Sequence, residues 1–125
     1  MKVDMETVEI NGVEYVRADQ VQDNAPAETV DGMPYVIVRT YSAGVFAGYL
    51  KQRNGQEATI LQARRLWYWD GAASLSQLAE EGTVNPSGCK FPMEVAQIEV
   101  TQAVEILCCT ERARKRIAKV AVWKR

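Results

Sequence analysis

Arginine and aromatic side chains are concentrated at residues 64–69, which read RRLWYW. A guanidinium group donates paired hydrogen bonds to a phosphate or carboxylate, and aromatic faces stack on planar rings or bind cations. Arg39 and Tyr41 lie in a nearby strand pattern that ends at the turn Ser42-Ala43-Gly44. The backbone amides of such a turn can form a small anion site, although a plain hairpin turn explains the same residues. The candidate ligand-binding residues are therefore Arg39, Tyr41, Ser42, Gly44, Arg64, Arg65, Trp67, Tyr68 and Trp69.

The same residues also fit an ordinary core or an interface. Tryptophan and tyrosine frequently fill protein interiors and subunit contacts. Strand alternation would place Arg64 and Tyr68 on one face and Arg65, Trp67 and Trp69 on the other, so that one arginine could serve a subunit interface. Residue types alone leave both interpretations open.

Catalytic chemistry has little support in the sequence. Histidine is absent, which excludes acid–base or nucleophilic catalysis that depends on it. The three cysteines, Cys89, Cys108 and Cys109, include no CxxC pair, and their number and spacing indicate neither a zinc site nor a disulfide framework. No phosphate-binding GxxxxGK[ST] sequence is present. We therefore expect a binding protein without a cofactor or metal, and not an enzyme.

Charge is distributed unevenly along a chain whose net charge is −1. Residues 1–34 carry eight acidic and two basic side chains, whereas residues 111–125 carry one acidic and seven basic side chains. These ends could attract each other within one chain or between subunits, or they could be a solvated tail and a solvated helix face. The near-neutral total argues against a nucleic-acid binder, although the basic helix is a weak indication for one.

Targeting and membrane signals are not evident. The chain has no run of about 18 apolar residues, so we expect no transmembrane helix. The N-terminal sequence MKVDMETVEI lacks a basic segment followed by an apolar one. A cytoplasmic location is the expectation that follows.

The pattern of elements predicts an α+β protein: mainly an antiparallel β-sheet with two short helices and an N-terminal β-hairpin. Asn11-Gly12 between two alternating segments is typical of a type I′ hairpin turn, so residues 1–18 are predicted to be a hairpin appendage. Residues 19–33 are acidic and aperiodic, and they are predicted to be a linker. Residues 34–125 are then a compact ligand-binding domain.

Three strands are predicted at the start of this domain, over residues 35–41, 45–53 and 57–69. Gly48 indicates a bulge or a close approach within the second strand, and Asn54-Gly55 indicates a type I′ turn after it. In the first strand, alternation predicts a core face and a more accessible face. The core face holds Val36, Val38 and Thr40, and the accessible face holds Tyr35, Ile37, Arg39 and Tyr41.

Two helices and a split strand complete the predicted domain. Ser74 and Gly82 are the predicted start and stop signals of a helix over residues 72–81. Residues 83–93 are a predicted loop, and residues 94–110 are predicted to form two segments, or one bent strand, around residues 101–103. Thr110 is the predicted N-cap of a helix over residues 111–119.

The domain resembles a family of small phage and prophage proteins. The resemblance is carried by PYVIVRTYSAGVFAGYL, ARRLWYWDGAASLSQLA, CKFP, EILCCTERARK and VWK, which together cover roughly residues 34–124. Among such families, the chain is similar to the phage Thoeris anti-defence sponges. That resemblance implies a cytoplasmic homo-oligomer, a dimer or larger, that binds cyclic ADP-ribose isomers, and in some members cyclic oligonucleotides, without cleaving them. A phage structural or protein-interaction module with no small-molecule ligand is the alternative.

Overall fold

Five antiparallel strands and two α-helices make up the computed structural model, which describes residues 25–124. This architecture confirms the predicted α+β class. The predicted N-terminal hairpin and residues 19–24 of the predicted linker lie outside the described residues. The elements are β1 (Tyr35–Thr40), β2 (Val45–Asn54), β3 (Glu57–Arg65), α1 (Leu75–Glu81), a 3-10 turn (Pro86–Gly88), β4 (Val95–Val100), β5 (Ala103–Cys108) and α2 (Glu111–Ala118).

The sheet has the strand order β4-β3-β2-β1-β5. Strands β1 to β4 are paired in sequence, and β5 returns to pair with β1 at the far edge. Only Thr101 and Gln102 separate β4 from β5, although these strands form opposite edges of the sheet. The sheet must therefore curl until its two edges approach each other at this turn. The Ala103 N–H, which donates to the Gln56 carbonyl at 2.9 Å, fixes the start of β5 beside the β2–β3 turn.

The inner side of the curled sheet forms one apolar core. Val38 and Ile60 are completely buried in it. All of its members lie on the five strands: Val36, Val38, Phe46, Leu50, Ala58, Ile60, Ala63, Ile98, Val100, Ala103 and Ile106. Curvature, and not a covering helix, brings these side chains together.

The other side of the sheet packs against both helices and forms a second core. Tyr35 and Ile37, which alternation predicted to be accessible, are buried here beside Leu78 and Ile117 of the helices. The prediction for these two residues was wrong because the helices cover that face, so β1 is buried on both sides. Only Arg39 in β1 is exposed, as predicted.

The predicted irregularity at Gly48 is confirmed as a β-bulge between β2 and β3. Tyr49 pairs with Leu61 and Ala47 pairs with Arg64, so β3 has an extra residue at this point. A Cβ atom on Gly48 would lie 2.6 Å from Ile60 Cγ2 and 2.8 Å from the Leu61 carbonyl oxygen. Only glycine allows the two backbones to approach this closely.

One predicted turn is correct and the other is displaced by one residue. Gly44 adopts a φ of 101° in the β1–β2 turn, as its sequence predicted. In the β2–β3 turn, Asn54 pairs with Glu57, so the two central residues are Gly55 and Gln56 and not Asn54 and Gly55. Gly55 alone has a positive φ there, at 64°, which is typical of a type II′ turn, with glycine at its first central position.

The helix start signals and the split of residues 94–110 into two strands are confirmed. The Ser74 hydroxyl accepts a hydrogen bond from the Gln77 N–H, and Gln77 Oε1 accepts one from the Ala73 N–H. At α2, the Thr110 hydroxyl accepts from the Ala113 N–H and donates to the Glu80 carbonyl at 2.6 Å. Thr110 therefore caps one helix and connects it to the end of the other.

Candidate functional site

Arg64, near the C-terminal end of β3, is buried and held by backbone carbonyls. It is 7% exposed, and its guanidinium donates to the carbonyl oxygens of Pro92 at 3.1 Å and Phe91 at 3.1 Å. It also donates to the carbonyls of Ile117 at 3.0 Å and Val120 at 2.6 Å. The carbonyls in the last turn of a helix lack partners within the helix, so Arg64 satisfies the end of α2.

The environment of Arg64 lowers the pKa of its guanidinium, mainly because burial disfavours the charged form. Tyr35 and Glu94 oppose that effect electrostatically. Since each nitrogen of the guanidinium already donates to a carbonyl, a phosphate could bind there only by displacing these bonds. The predicted role of Arg64 as a ligand contact stays a prediction, and the geometry gives this residue a structural task.

Arg65 points to the other face and is exposed. Its guanidinium carbon lies 4.7 Å from the centre of the Phe46 ring, and the group makes no hydrogen bond or ion pair with any residue of the described chain. Arg65 stands at an apolar groove of about 230 Å³. The other groove residues are Phe46, Ala63, Pro92, Met93, Val95 and Ile98. Arg65 thus offers a complete set of donors beside an apolar surface.

The three aromatic residues that follow lie in different environments. The predicted strand to residue 69 is wrong, since β3 ends at Arg65. Trp67 is 63% exposed and Tyr68 is 53% exposed. Trp69 is half-buried and packs against the helix-side core, so it is less exposed than Trp67 and Tyr68.

Tyr68 forms a local cluster with two residues that the sequence did not single out. Its backbone pairs with Lys90, and the Lys90 Nζ lies 5.9 Å from the centre of the Tyr68 ring and 5.7 Å from that of Trp123. The Trp123 N–H donates to the Phe91 carbonyl at 2.9 Å, which fixes the tail beside residues 90–91. We call Trp67, Tyr68, Lys90 and Trp123 the aromatic patch. The CKFP and VWK segments contain Lys90 and Trp123, but nothing in their local pattern predicts that they meet.

The β1–β2 turn lies at the same end of the sheet, since Phe46 pairs with Arg65 and the Leu66 N–H donates to the Val45 carbonyl. Arg39 Nε donates to Glu105 Oε1 at 2.8 Å on the neighbouring strand, where both side chains are about half exposed. Tyr41, in contrast, is 79% exposed.

Hydrogen bonds among its own residues and to Gln102 close this turn. The Ser42 hydroxyl donates to Gln102 Oε1 at 2.7 Å, and the Ala43 N–H donates to the Thr40 hydroxyl at 2.9 Å. The Thr40 N–H and hydroxyl both donate to the carbonyl of Gly44. A hairpin turn closed by its own side chains accounts for these contacts.

Two of the three cysteines are buried, and their geometry is structural. The Cys89 thiol lies 3.4 Å from the Asp70 carbonyl and 3.6 Å from the Thr83 hydroxyl, within a loop closure between the end of β3 and the 3-10 turn. Burial raises the pKa of Cys109 to about 12, with smaller contributions from Cys108 and Glu80.

Residues 25–124 contain no group of three or more side chains of the types that hold a metal ion. None of the helices in this range is long and apolar enough to cross a membrane.

Comparisons with known proteins place the chain in a family without naming an activity. No curated protein and no solved structure matches it. The resemblance to phage anti-defence proteins therefore stays a prediction. A family model matches residues 33–117, from just before β1 into α2. The chain belongs to the family described as Domain of unknown function (DUF6948).

Proposed function

We propose that this protein binds a nucleotide-derived anion on the aromatic patch and holds it without cleaving it. The observation that supports the proposal is the Lys90 ammonium near the rings of both Tyr68 and Trp123, with the exposed Trp67 adjacent to Tyr68 in the sequence. Exposed aromatic faces stack on nucleobases of any kind, and nearby cations attract phosphates.

The roles divide by chemistry. Trp67 and Tyr68 supply the faces on which an adenine ring would stack. Lys90 supplies positive charge within the patch. Arg65, three residues before Tyr68, makes no hydrogen bond with a described residue, so its donors could bind a phosphate oxygen that extends toward the apolar groove. Arg64 and Trp69 have structural roles, because Arg64 is held by carbonyls, including that of Phe91 beside Lys90, and Trp69 packs against the helix-side core.

The finer form of the proposal follows from the resemblance to Thoeris anti-defence sponges. The ligand would be a cyclic ADP-ribose isomer, with cyclic oligonucleotides as a second possibility, and the protein would act in the cytoplasm of a phage-infected or lysogenic bacterium. Sequestration requires only that the complex of protein and signal molecule be more stable than the free protein and free signal molecule. It therefore needs no catalytic residue.

Isothermal titration of the full chain with cyclic ADP-ribose isomers tests the proposal. We expect saturable heat with at least one isomer, and a loss of about tenfold or more in affinity for Trp67→Ala, the range for removal of one base-stacking ring. Lys90→Gln should also weaken binding, because it removes the cation. Val84→Ala, at another strongly exposed apolar position, is the control and should bind normally. Folded protein that gives no heat with any isomer would refute the ligand assignment.

A protein-interaction module is the second candidate, and the apolar groove favours it. Met93 and Val95 line this groove, and both are exposed large apolar side chains. Clustered exposed apolar and aromatic residues are typical of protein interfaces, including those of homo-oligomers. Light scattering on size-exclusion fractions would distinguish the candidates. A dimer or larger species that Met93→Glu converts to a monomer, without ligand heat in either form, would favour this function.

A further inference from the structure

A cavity of about 270 Å³ lies between the helix-side face of the sheet and the C-terminal half of α2. Tyr35 of β1 and Tyr49 of β2 line it, with ring centres 5.1 Å apart in an edge-to-face arrangement. Arg114 and Ile117 of α2 line the helix side. None of the four residues of the aromatic patch lines this cavity.

The hydroxyl groups of both tyrosines have no hydrogen-bond partner among residues 25–124. Tyr35 is 9% exposed and Tyr49 is 8% exposed, so both side chains are more than nine-tenths buried. Neither hydroxyl donates to, or accepts from, another described group. Neither phenol oxygen is among the described polar atoms that are both shielded from solvent and unpaired, so both hydroxyls open onto the cavity. Both hydroxyls are therefore available to donate to a ligand that enters this cavity.

A third donor converges on the same space. Arg114 donates to Glu111 through Nε and Nη2, at 3.2 and 2.6 Å, and its Nη1 makes no described bond. Arg114 lines the cavity together with Tyr35 and Tyr49, and both tyrosines contribute to raising the pKa of its guanidinium, after the larger effect of Glu111. Burial raises the pKa of Tyr35 far above its ordinary value, and Tyr35 therefore remains a hydrogen-bond donor at neutral pH.

The bulge in β3 places Gln62 on the rim of this cavity. Gln62 is one of two non-glycine residues in the described chain with a positive φ, at 52°. Such a conformation is strained, and bulges commonly re-aim a side chain at a site. The remaining wall is apolar, formed by Ala118, Val120 and Val122, and Glu94 is the one acidic residue in the described lining.

We propose that this cavity binds a small organic carboxylate with an apolar body. The carboxylate accepts hydrogen bonds from Tyr35, Tyr49 and Arg114, and the apolar body lies against the aliphatic wall. The buried charge of Arg64, which has no carboxylate partner within the described chain, adds a favourable potential for an anion. The exposed carboxylate of Glu94 opposes binding, so it limits affinity.

A titration of the full chain with sodium benzoate, followed by two-dimensional NMR of labelled tyrosine rings, tests this proposal, with sodium chloride as the ionic-strength control. We expect saturable shifts at Tyr35 and Tyr49. Tyr35→Phe and Tyr49→Phe should each lower benzoate affinity about tenfold, since each loses one hydrogen bond to a charged acceptor. Glu94→Gln should raise affinity about two- to fivefold by removing a like charge. Trp67→Ala should bind benzoate like the wild type, which separates this cavity from the aromatic patch.

The phenylalanine variants also discriminate a ligand site from a structural role. Since neither hydroxyl bonds to the described chain, both variants should keep the wild-type melting temperature in the absence of benzoate. A lowered melting temperature with unchanged benzoate affinity would overturn the proposal. An absence of saturable tyrosine shifts in the wild type, or a Glu94→Gln variant that binds benzoate more weakly, would overturn it as well.

Discussion

Arg64 and Arg65 are adjacent in β3 and have the same side chain, but their environments differ. Arg64 is buried and satisfies carbonyls from two distant segments, whereas Arg65 lies exposed over Phe46. Strand alternation predicts that the two point to opposite faces, and this is what the structure shows. Alternation could not predict which face has carbonyls to satisfy, because those carbonyls belong to residues 91–92, 117 and 120.

Arg64→Lys should strongly destabilise the protein. Lysine keeps the charge but cannot reproduce the planar fork, so at least two of the four carbonyl bonds are lost, and we expect a fall of about 2–4 kcal/mol in the free energy of unfolding. Arg65→Lys is the matched control. It loses only a stacked, exposed contact and should cost less than about 1 kcal/mol. Urea unfolding measures both, and equal losses would contradict the assignment.

The adjacent cysteines give a second contrast, which depends on pH. Cys109 is 2% exposed, and burial raises its pKa from 9.0 to about 12, whereas Cys108 is exposed. The folded state holds the Cys109 proton more tightly than the unfolded state. The contribution of this thiol to the free energy of unfolding is therefore fully present below pH 9. It is lost as pH rises toward 12, at up to about 1.4 kcal/mol per pH unit.

Urea unfolding at pH 8 and pH 10 checks this dependence. The free energy of unfolding should fall over this range in the wild type and in Cys108→Ala. The fall should be much smaller in Cys109→Ala, which is less stable at pH 8 because it leaves a small cavity. A fall that disappears in Cys108→Ala would contradict the assignment. Tyr35 has an ordinary value of 10.0, so it adds to the loss only at higher pH.

At the scale of elements, the sequence predicts local features well and long-range features poorly. Ser74 and Thr110 are recognisable as caps because a capping bond joins residues three apart, so the signal lies within one short segment. Gly48 is recognisable because a glycine inside an alternating strand usually marks a bulge or a close backbone approach. The burial of Tyr35 and Ile37 is not visible in the sequence, since it depends on helices that begin about 40 and 75 residues later.

The bulge between β2 and β3 is the element on which the tyrosine cavity depends, and Gly48→Ala tests its packing. The added methyl group would lie 2.6 Å from Ile60 Cγ2 and 2.8 Å from a backbone oxygen, so the strands must separate. We expect a loss of about 1–3 kcal/mol, the usual range for overpacking. Thermal unfolding measures it, and an unchanged melting temperature would show that the strands do not approach this closely.

Gln62→Gly tests the strain at the same bulge by comparison with Gln97→Gly. Both glutamines are exposed, and Gln97 pairs with Leu61 on the neighbouring strand, but only Gln62 has a left-handed φ. Glycine in a regular strand costs about 0.5–1 kcal/mol, so Gln97→Gly should destabilise by that amount. At Gln62, glycine also relieves the strain of the left-handed φ, and this gain offsets the conformational entropy that glycine loses on folding. The free energy of unfolding of Gln62→Gly should therefore stay constant or rise. An equal loss at both positions in urea unfolding would argue against strain at Gln62.

For the whole molecule, two separate cores share one sheet, and the short β4–β5 connection explains why. It forces the sheet to curl, the curl buries the inner face without a helix, and the helices are then free to cover the outer face. The sequence predicts the break at residues 101–103 but not its effect on the sheet, because strand order is not visible in alternation. The candidate site shows the same limit of sequence-based prediction. The predicted residues Trp67, Tyr68 and Trp69 lie in different environments, and Lys90 and Trp123, which contact Tyr68 or each other, belong to other segments of the chain.

The C-terminal tail lies beyond the segment matched by the family model, yet it stabilises the domain. The carbonyl of Val120 accepts the shortest of the Arg64 bonds, at 2.6 Å, and its side chain is 3% exposed. Val122 pairs with Phe91, and Trp123 contacts Lys90 and the Phe91 carbonyl. Removing residues 120–125 should therefore lower the free energy of unfolding by at least about 3 kcal/mol, from one buried valine and one hydrogen bond to a charged group.

Removal of residues 124–125 alone is the control for this truncation. Lys124 is exposed and no structural contact among the described residues requires it, so the shorter truncation should change stability by less than about 0.5 kcal/mol. Urea unfolding of the two truncated chains measures the difference. Equal midpoints would mean that Arg64 finds other acceptors when the tail is gone. A large difference would support a structural role for the tail, which contributes the Val120 carbonyl to Arg64, Val120 and Val122 to the tyrosine cavity, and Trp123 to the aromatic patch.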